Sequence, residues 1–243
     1  MILKLIILTV ALWVLPVQSQ ILKFYSTANF TVKYDKHISI KEIKQLGTSL
    51  ESSYTHYKNI FGIAFNHRPE ILIFGTVRSF RTESKSQIFQ DGDFKDGKLY
   101  FAFPDNAEQK ERFPYVISRV IARALLVNIP ACPEWLVAAY SLYAGNNLTI
   151  VGDPARYNIS SFSDLSEDYI RAQNVKDLKE IYAKLASTIR FMINRYGESR
   201  VESMLKKFSD GGTISEVFES SFNEKMPLIE KAWVKALRIP LKE

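Results

Sequence analysis

The period of the apolar residues changes near Asn106, and that change restricts the fold more than any other feature of the chain. Before it, three short stretches read as strands. Phe30, Val32 and Tyr34 alternate with Thr31 and Lys33, the period of two expected of a half-buried strand in the second half of residues 22–35. Residues 68–75, with Ile71, Leu72, Ile73 and Phe74, form a second apolar run. Residues 98–104, with Leu99, Tyr100, Phe101 and Phe103, form a third, stopped by Pro104, Asp105 and Asn106. Between the first two strands, Ile40, Ile43, Leu46, Leu50, Tyr54, Tyr57 and Ile60 fall three or four apart, which makes one apolar stripe on a long helix over 38–61 despite Gly47. Residues 76–82 predict a short helix carrying Phe80, and the polar residues 83–97, rich in Asp, Ser and Gly, predict a loop.

After Asn106 the spacing is helical almost to the end, with breaks at 130–133, at the polar stretch 146–166, at Gly197 and at Gly211 and Gly212. Asn174 with Asp177 marks the start of a long helix whose core face is Leu178, Ile181, Leu185, Ile189, Met192, Ile193 and Tyr196. Thr213 with Glu216 reads as a capping box, and Pro227 suits the first turn of a last helix expected to bury Leu228, Trp233 and Leu237. Strands followed by helices define an α+β class. There is no internal repeat, low-complexity tract or linker rich in Pro, Gly or Ser, so residues 20–243 are expected to form one domain.

Residues 1–19 have the three-part layout of a secretory signal peptide: Lys4, the apolar run 5–15, then the break at Pro16 and the small residues Val17 and Ser19. The run is too short to cross a bilayer as a stable helix. Cleavage after Ser19, a secreted or periplasmic location and no stable membrane span after removal are expected; a retained anchor or a buried N-terminal helix is the alternative. The single Cys132 cannot form an intramolecular disulfide, so stability has to come from packing. Its neighbours Ile129, Pro130, Ala131 and Pro133 suit an inert buried thiol. The formal charge of +6 loses Lys4 with the leader, and the remaining cations are scattered among acids, which makes no case for nucleic acid as a partner. The sequons at Asn29, Asn147 and Asn158 bear on the protein only in a eukaryotic secretory route.

Residues 114–126, which include Pro114, Ser118, Arg119, Val120 and Arg123, and residues 133–145, which open Pro133-Glu134-Trp135-Leu136 and continue through Ala138, Tyr140 and Tyr143, together resemble a known pair of helices. They are similar to the active-site helix and the following helix of the peptidase MA-like gluzincins. In that family the first helix carries H-E-x-x-H and the second a pattern close to P-x-W-L-x-E-G-x-A-x-Y, whose glutamate is the third zinc ligand. Arg195-Tyr196-Gly197-Glu198, Gly211-Gly212-Thr213, Phe222 and Trp233 look like the family's C-terminal helices, so the likeness runs over nearly all of residues 20–243. It implies a zincin-like, gluzincin-type domain: a small N-terminal sheet with a long helix, then a mostly helical half.

Aligned on that resemblance, the two histidine positions hold Arg119 and Arg123, the general-base position holds Val120, and the third-ligand position holds Ala138. A guanidinium is permanently protonated and offers only donors, so it repels a zinc ion. Val120 has no group to take a proton from water. His37, His56 and His67 include no pair at helical ligand spacing, although a site assembled from distant residues stays open. No zinc, no other cofactor and no catalysis are therefore expected.

The resemblance also implies that an edge strand beside the active-site helix pairs with an extended substrate, and residues 99–103 stand where that strand is expected. Leu99, Tyr100 and Phe101 are thus candidates for holding a peptide by main-chain pairing, which needs no catalytic group. Arg119, Arg123 and Glu134 are further candidates for the ligand site, the two arginines lying four apart on one helix face and suited to grip a carboxylate or another anion. Alternatively both pair with acids such as Glu134 or lie on a solvated face. Trp135, Tyr140 and Tyr143 at helical spacing read as core. Three functions follow: an exported binding module for a peptide or protein, a hydrolase with an unconventional centre, and a structural or assembly protein of the envelope or extracellular space. The sequence carries no signal for an oligomeric state.

Overall fold

The computed structural model of the chain describes residues 22–86, 90–146, 161–172 and 174–237. The expected signal peptide and the sequons at Asn147 and Asn158 lie outside these residues. Strands β1 (Leu22–Ser26) and β2 (Thr31–Asp35) form an antiparallel hairpin. Thr27 closes it: the Thr27 N–H donates to the Phe30 carbonyl, and the Thr27 hydroxyl accepts from the Phe30 N–H, both at 3.1 Å. Helix α1 (Ile40–Phe61) begins with a capping box of Ser39 and Glu42 and ends at Gly62, whose φ of 70° is open to glycine without strain. β3 (Glu70–Phe74) and α2 (Val77–Ser84, capped by Thr76) follow, then β4 (Gly92–Lys95) and β5 (Lys98–Ala102).

The remaining described elements are helices: α3 (Ala107–Leu126), α4 (Glu134–Ala144), α5 (Phe162–Arg171), α6 (Val175–Tyr196), α7 (Glu198–Ser209), α8 (Ile214–Phe222) and α9 (Met226–Leu237). The α+β class expected from the change of period is what the chain adopts, a five-stranded N-terminal sheet followed by a mostly helical remainder. No helix among the described residues is long and apolar enough to cross a membrane. The caps lie where their residues announce them: the Asn174 side chain accepts from the Asp177 N–H, and Thr213 and Glu216 cap each other's backbone.

The sheet order is β1-β2-β3-β5-β4, with β2, β3 and β5 parallel and a strand antiparallel at each end. Period-two alternation sorts its side chains onto two faces. Val32, Tyr34, Ile71, Ile73, Leu99 and Phe101 enter the main core with α1 and α3, while Phe74 and Ala102 pack with Phe80 of α2 on the other face. α3 lies between α1 and α4, and α4 in turn packs against α6.

Several local expectations fail. Ile40, expected on the apolar stripe of α1, is 49% exposed in the first turn. Residues 83–97 are not wholly a loop, since Gly92–Lys95 form β4 and return through Asp96 and Gly97, both at positive φ (50° and 73°). An Asp-Gly pair between strands is a hairpin signal, hidden here because a glycine and two polar residues on a four-residue strand erase the alternation. Helix α5 begins inside the expected loop 146–166: Ser161 caps it and Phe162 and Leu165 are buried. In α9, Leu228 is 54% exposed, and the core positions are Ile229 and Trp233.

Candidate functional site

The strand assigned to peptide capture is not at the edge. β5 is bonded to β3 on one side and β4 on the other, so its main chain has no free row of donors and acceptors. Leu99 and Phe101 are fully buried in the core, and Tyr100 stacks on Phe74 on the opposite face of the sheet. Leu99, Tyr100 and Phe101 are therefore corrected from ligand candidates to structural residues. The edge beside α3 belongs to β4. Antiparallel pairs alternate in bonding, and the Ala102 N–H donates to the Asp91 carbonyl at 2.9 Å. Asp93 and Lys95 hence face β5, while the main-chain groups of Gly92 and Phe94 point outward. Two of these outward groups are already occupied: Arg119 Nη2 donates to the Gly92 carbonyl at 2.6 Å, and the Phe94 N–H donates to Asp93 Oδ1 at 2.9 Å.

Behind β4 lies a cavity of about 350 Å³, at the small end of ligand pockets. Arg119 and Arg123 reach it from α3, and Ala138, Ser141 and Leu142 from α4. Tyr169 and Ile170 of α5 and Leu178 and Tyr182 of α6 form the far wall, with Asp93 and Phe94 on the β4 side and the exposed Lys85 and Lys95 also lining it. Arg119, Arg123 and Ala138 thus meet although they come from two helices. Val120 does not join them; it is buried where a side-chain carbon on Gly92 would stand 2.9 Å from it. Tyr140, the residue that could have plugged the site, is buried instead against Phe61 on the other side of α4. Trp135 and Tyr140 are core, as their spacing suggests, and Tyr143 is half-buried.

The two arginines have different surroundings. Arg123 Nη2 lies 3.0 Å from Glu134 Oε1, its Nη1 donates to the Tyr169 hydroxyl at 3.0 Å, and its guanidinium sits 5.7 Å from the Tyr169 ring. Burial holds the Tyr169 phenol above its usual range, against the pull of Arg123, so it stays a neutral partner. Arg119 is 8% exposed, makes one hydrogen bond among the described residues, to the neutral Gly92 carbonyl, and has its Nε buried without a partner among them. Gly145 leaves room for its stem, since a side-chain carbon there would stand 2.9 Å from Arg119 Cβ. The expectation that both arginines pair with acids or face solvent thus holds for Arg123 and fails for Arg119. Because Arg123 and Glu134 are both partly solvated, Glu134→Gln should cost only about 0.5–1 kcal/mol in a urea titration. A loss of several kcal/mol would mean that the pair behaves as a buried one.

Elsewhere, burial pushes the Cys132 thiol up to about 12, which suits an inert residue rather than a nucleophile. His37, His56 and His67 are exposed on separate segments, and among the described residues no group of three or more His, Cys, Asp or Glu is placed to hold a metal ion. Sequence reasoning missed the contributions of β4, α5 and α6 to this site. Only the Asp96-Gly97 turn could have pointed to β4, and nothing in the spacing of Tyr169 or Tyr182 connects them to Arg123. No protein-family model matches the chain, and no curated protein is similar enough to count as a relative.

Proposed function

We propose that this chain is an exported, non-catalytic member of the zincin-like gluzincin group that binds a peptide or protein segment in the cavity between β4 and helices α3 to α6. The observation that carries the reading is that Arg119, Arg123 and Ala138, the positions at which the resemblance expects three zinc ligands, line one cavity. Two of them bring permanent cations to a place where a metal needs lone pairs, and the third brings a methyl group. An antiparallel edge strand packed on α3, with α4 against the same helix, is in keeping with the zincin-like reading. The cavity, rather than the strand edge, is the binding element. An incoming strand on β4 would first have to displace Arg119 from Gly92 and Asp93 from Phe94.

The full chain, expressed with export and purified from outside the cytoplasm, should begin at Gln20, contain far less than stoichiometric zinc and leave a random hexapeptide pool uncleaved. The same pool displayed on phage should be enriched on this protein and not on Ala138→Leu, which narrows the cavity. Stoichiometric zinc that a chelator removes together with peptide cleavage would overturn the reading. Equal enrichment on Ala138→Leu, with its fold intact by circular dichroism, would move the binding site elsewhere.

A further inference from the structure

Among the described residues two cationic side chains are buried, and they differ in one respect. Lys184 has a carboxylate, with its Nζ 2.7 Å from Asp168. Arg119 has none within ion-pairing distance; its single polar contact is the Gly92 carbonyl. A buried charge without a counter-charge is costly, and the cost is relieved by an anion that enters beside it. None of the other charges that line the cavity pairs with Arg119. Asp93 brings a negative charge there but forms no ion pair with Arg119, its carboxylate accepting from the Ser86 hydroxyl at 2.6 Å and from the Phe94 N–H; Arg123 has Glu134, and Lys85 and Lys95 are exposed and positive. The rest of the wall includes Phe94, Leu142, Ile170 and Leu178, and Ile170 is exposed and apolar.

We infer that the cavity is a carboxylate site, in which Arg119 binds the carboxylate of a ligand whose adjoining body is apolar. This rests on the cavity being the binding element proposed above. The planar fork of a guanidinium matches a carboxylate in geometry. Among the described residues Arg119 is the buried cation without an ion pair, a single charge that a monoanion answers, and Phe94, Leu142, Ile170 and Leu178 offer apolar surface to the rest of the ligand. The carboxylate has two possible sources, a free small acid or the C-terminus of a peptide, and both present the same group to Arg119.

Calorimetric titration of the folded protein with Nα-acetyl-phenylalanine and with its amide separates charge from shape. The acid should bind at least tenfold more tightly than the amide, inorganic phosphate should not compete with it, and Arg119→Met should remove the preference. If Arg119→Met does not fold, the acid-to-amide comparison on the wild-type chain decides alone. Equal binding of acid and amide, binding of neither, or tighter binding of phosphate would overturn the inference. Hexapeptides ending in phenylalanine, as acid and as amide, distinguish the sources. Preferred capture of the acid hexapeptide assigns a peptide C-terminus. Capture of the small acid alone keeps the carboxylate site and removes the peptide reading. Equal capture of both hexapeptides keeps the peptide reading and removes the carboxylate.

Discussion

Replacing Trp135 with alanine should lower the unfolding free energy by about 3–5 kcal/mol, the range for deleting a large aromatic from a packed core. Trp135 is 1% exposed and opens α4 with its ring stacked on Phe162 of α5, centroids 4.7 Å apart and planes 23° apart. It also lies 6.4 Å from Phe218 of α8, and Phe162 lies 5.2 Å from Trp233 of α9. One aromatic group therefore ties four helices together, and no single neighbour can shift to fill the void without releasing another ring. The effect extends to the site, because α5 carries Tyr169 and Ile170 to the cavity wall. Denaturant unfolding followed by far-ultraviolet circular dichroism measures the loss, and Trp135→Phe should recover a large part of it. A change below about 1 kcal/mol would show that α5 is held by something other than this ring cluster.

The second large effect is expected at Gly92, where any side chain is excluded. A Cβ there would come within 2.8 Å of Val116 Cγ1, 2.9 Å of Val120 Cγ2 and 3.0 Å of Phe101 Cδ1, all in branched or ring side chains with little freedom to retreat. Gly92→Val should cost about 2–3 kcal/mol, in the upper part of the range for overpacking. The clash is relieved only if β4 backs away from α3, and that movement breaks the bond from Arg119 to the Gly92 carbonyl. Amide hydrogen exchange should therefore quicken along Gly92–Lys95 while α8 and α9 keep their protection. A Gly92→Val protein as stable as the parent, with unchanged exchange in β4, would contradict the close approach of strand and helix on which the cavity depends.

Helix caps and apolar periods were legible because they are local. Ser39 with Glu42, Asn174 with Asp177 and Thr213 with Glu216 each satisfy groups within one helical turn, so residue type and spacing suffice to recognise them. Of the stripe read from Ile40 to Ile60, Ile43, Leu46, Leu50, Tyr54 and Tyr57 are buried, as are Val32 and Tyr34 of the alternation, for the same reason; Ile40, in the first turn, is 49% exposed. The failures came where local pattern and tertiary use part. β4 has too few apolar side chains to announce itself, since it is covered by α3 through a glycine. Leu228 fits a helical stripe as well as Ile229 does, and which of the two turns inward depends on where α6 and α8 receive α9.

Residue order alone thus determined an α+β chain with its strands at the start and a helix-rich remainder, the starts of its capped helices, and the placement of two guanidinium groups one turn apart. These follow from steric and hydrogen-bonding rules that act over three or four residues. Only the tertiary structure decided that β4 rather than β5 forms the edge, that Arg119, Arg123 and Ala138 open onto one cavity, and that among the described residues Arg123 has a carboxylate while Arg119 has none. Those outcomes depend on contacts between segments distant in the chain, which packing selects and no local period encodes.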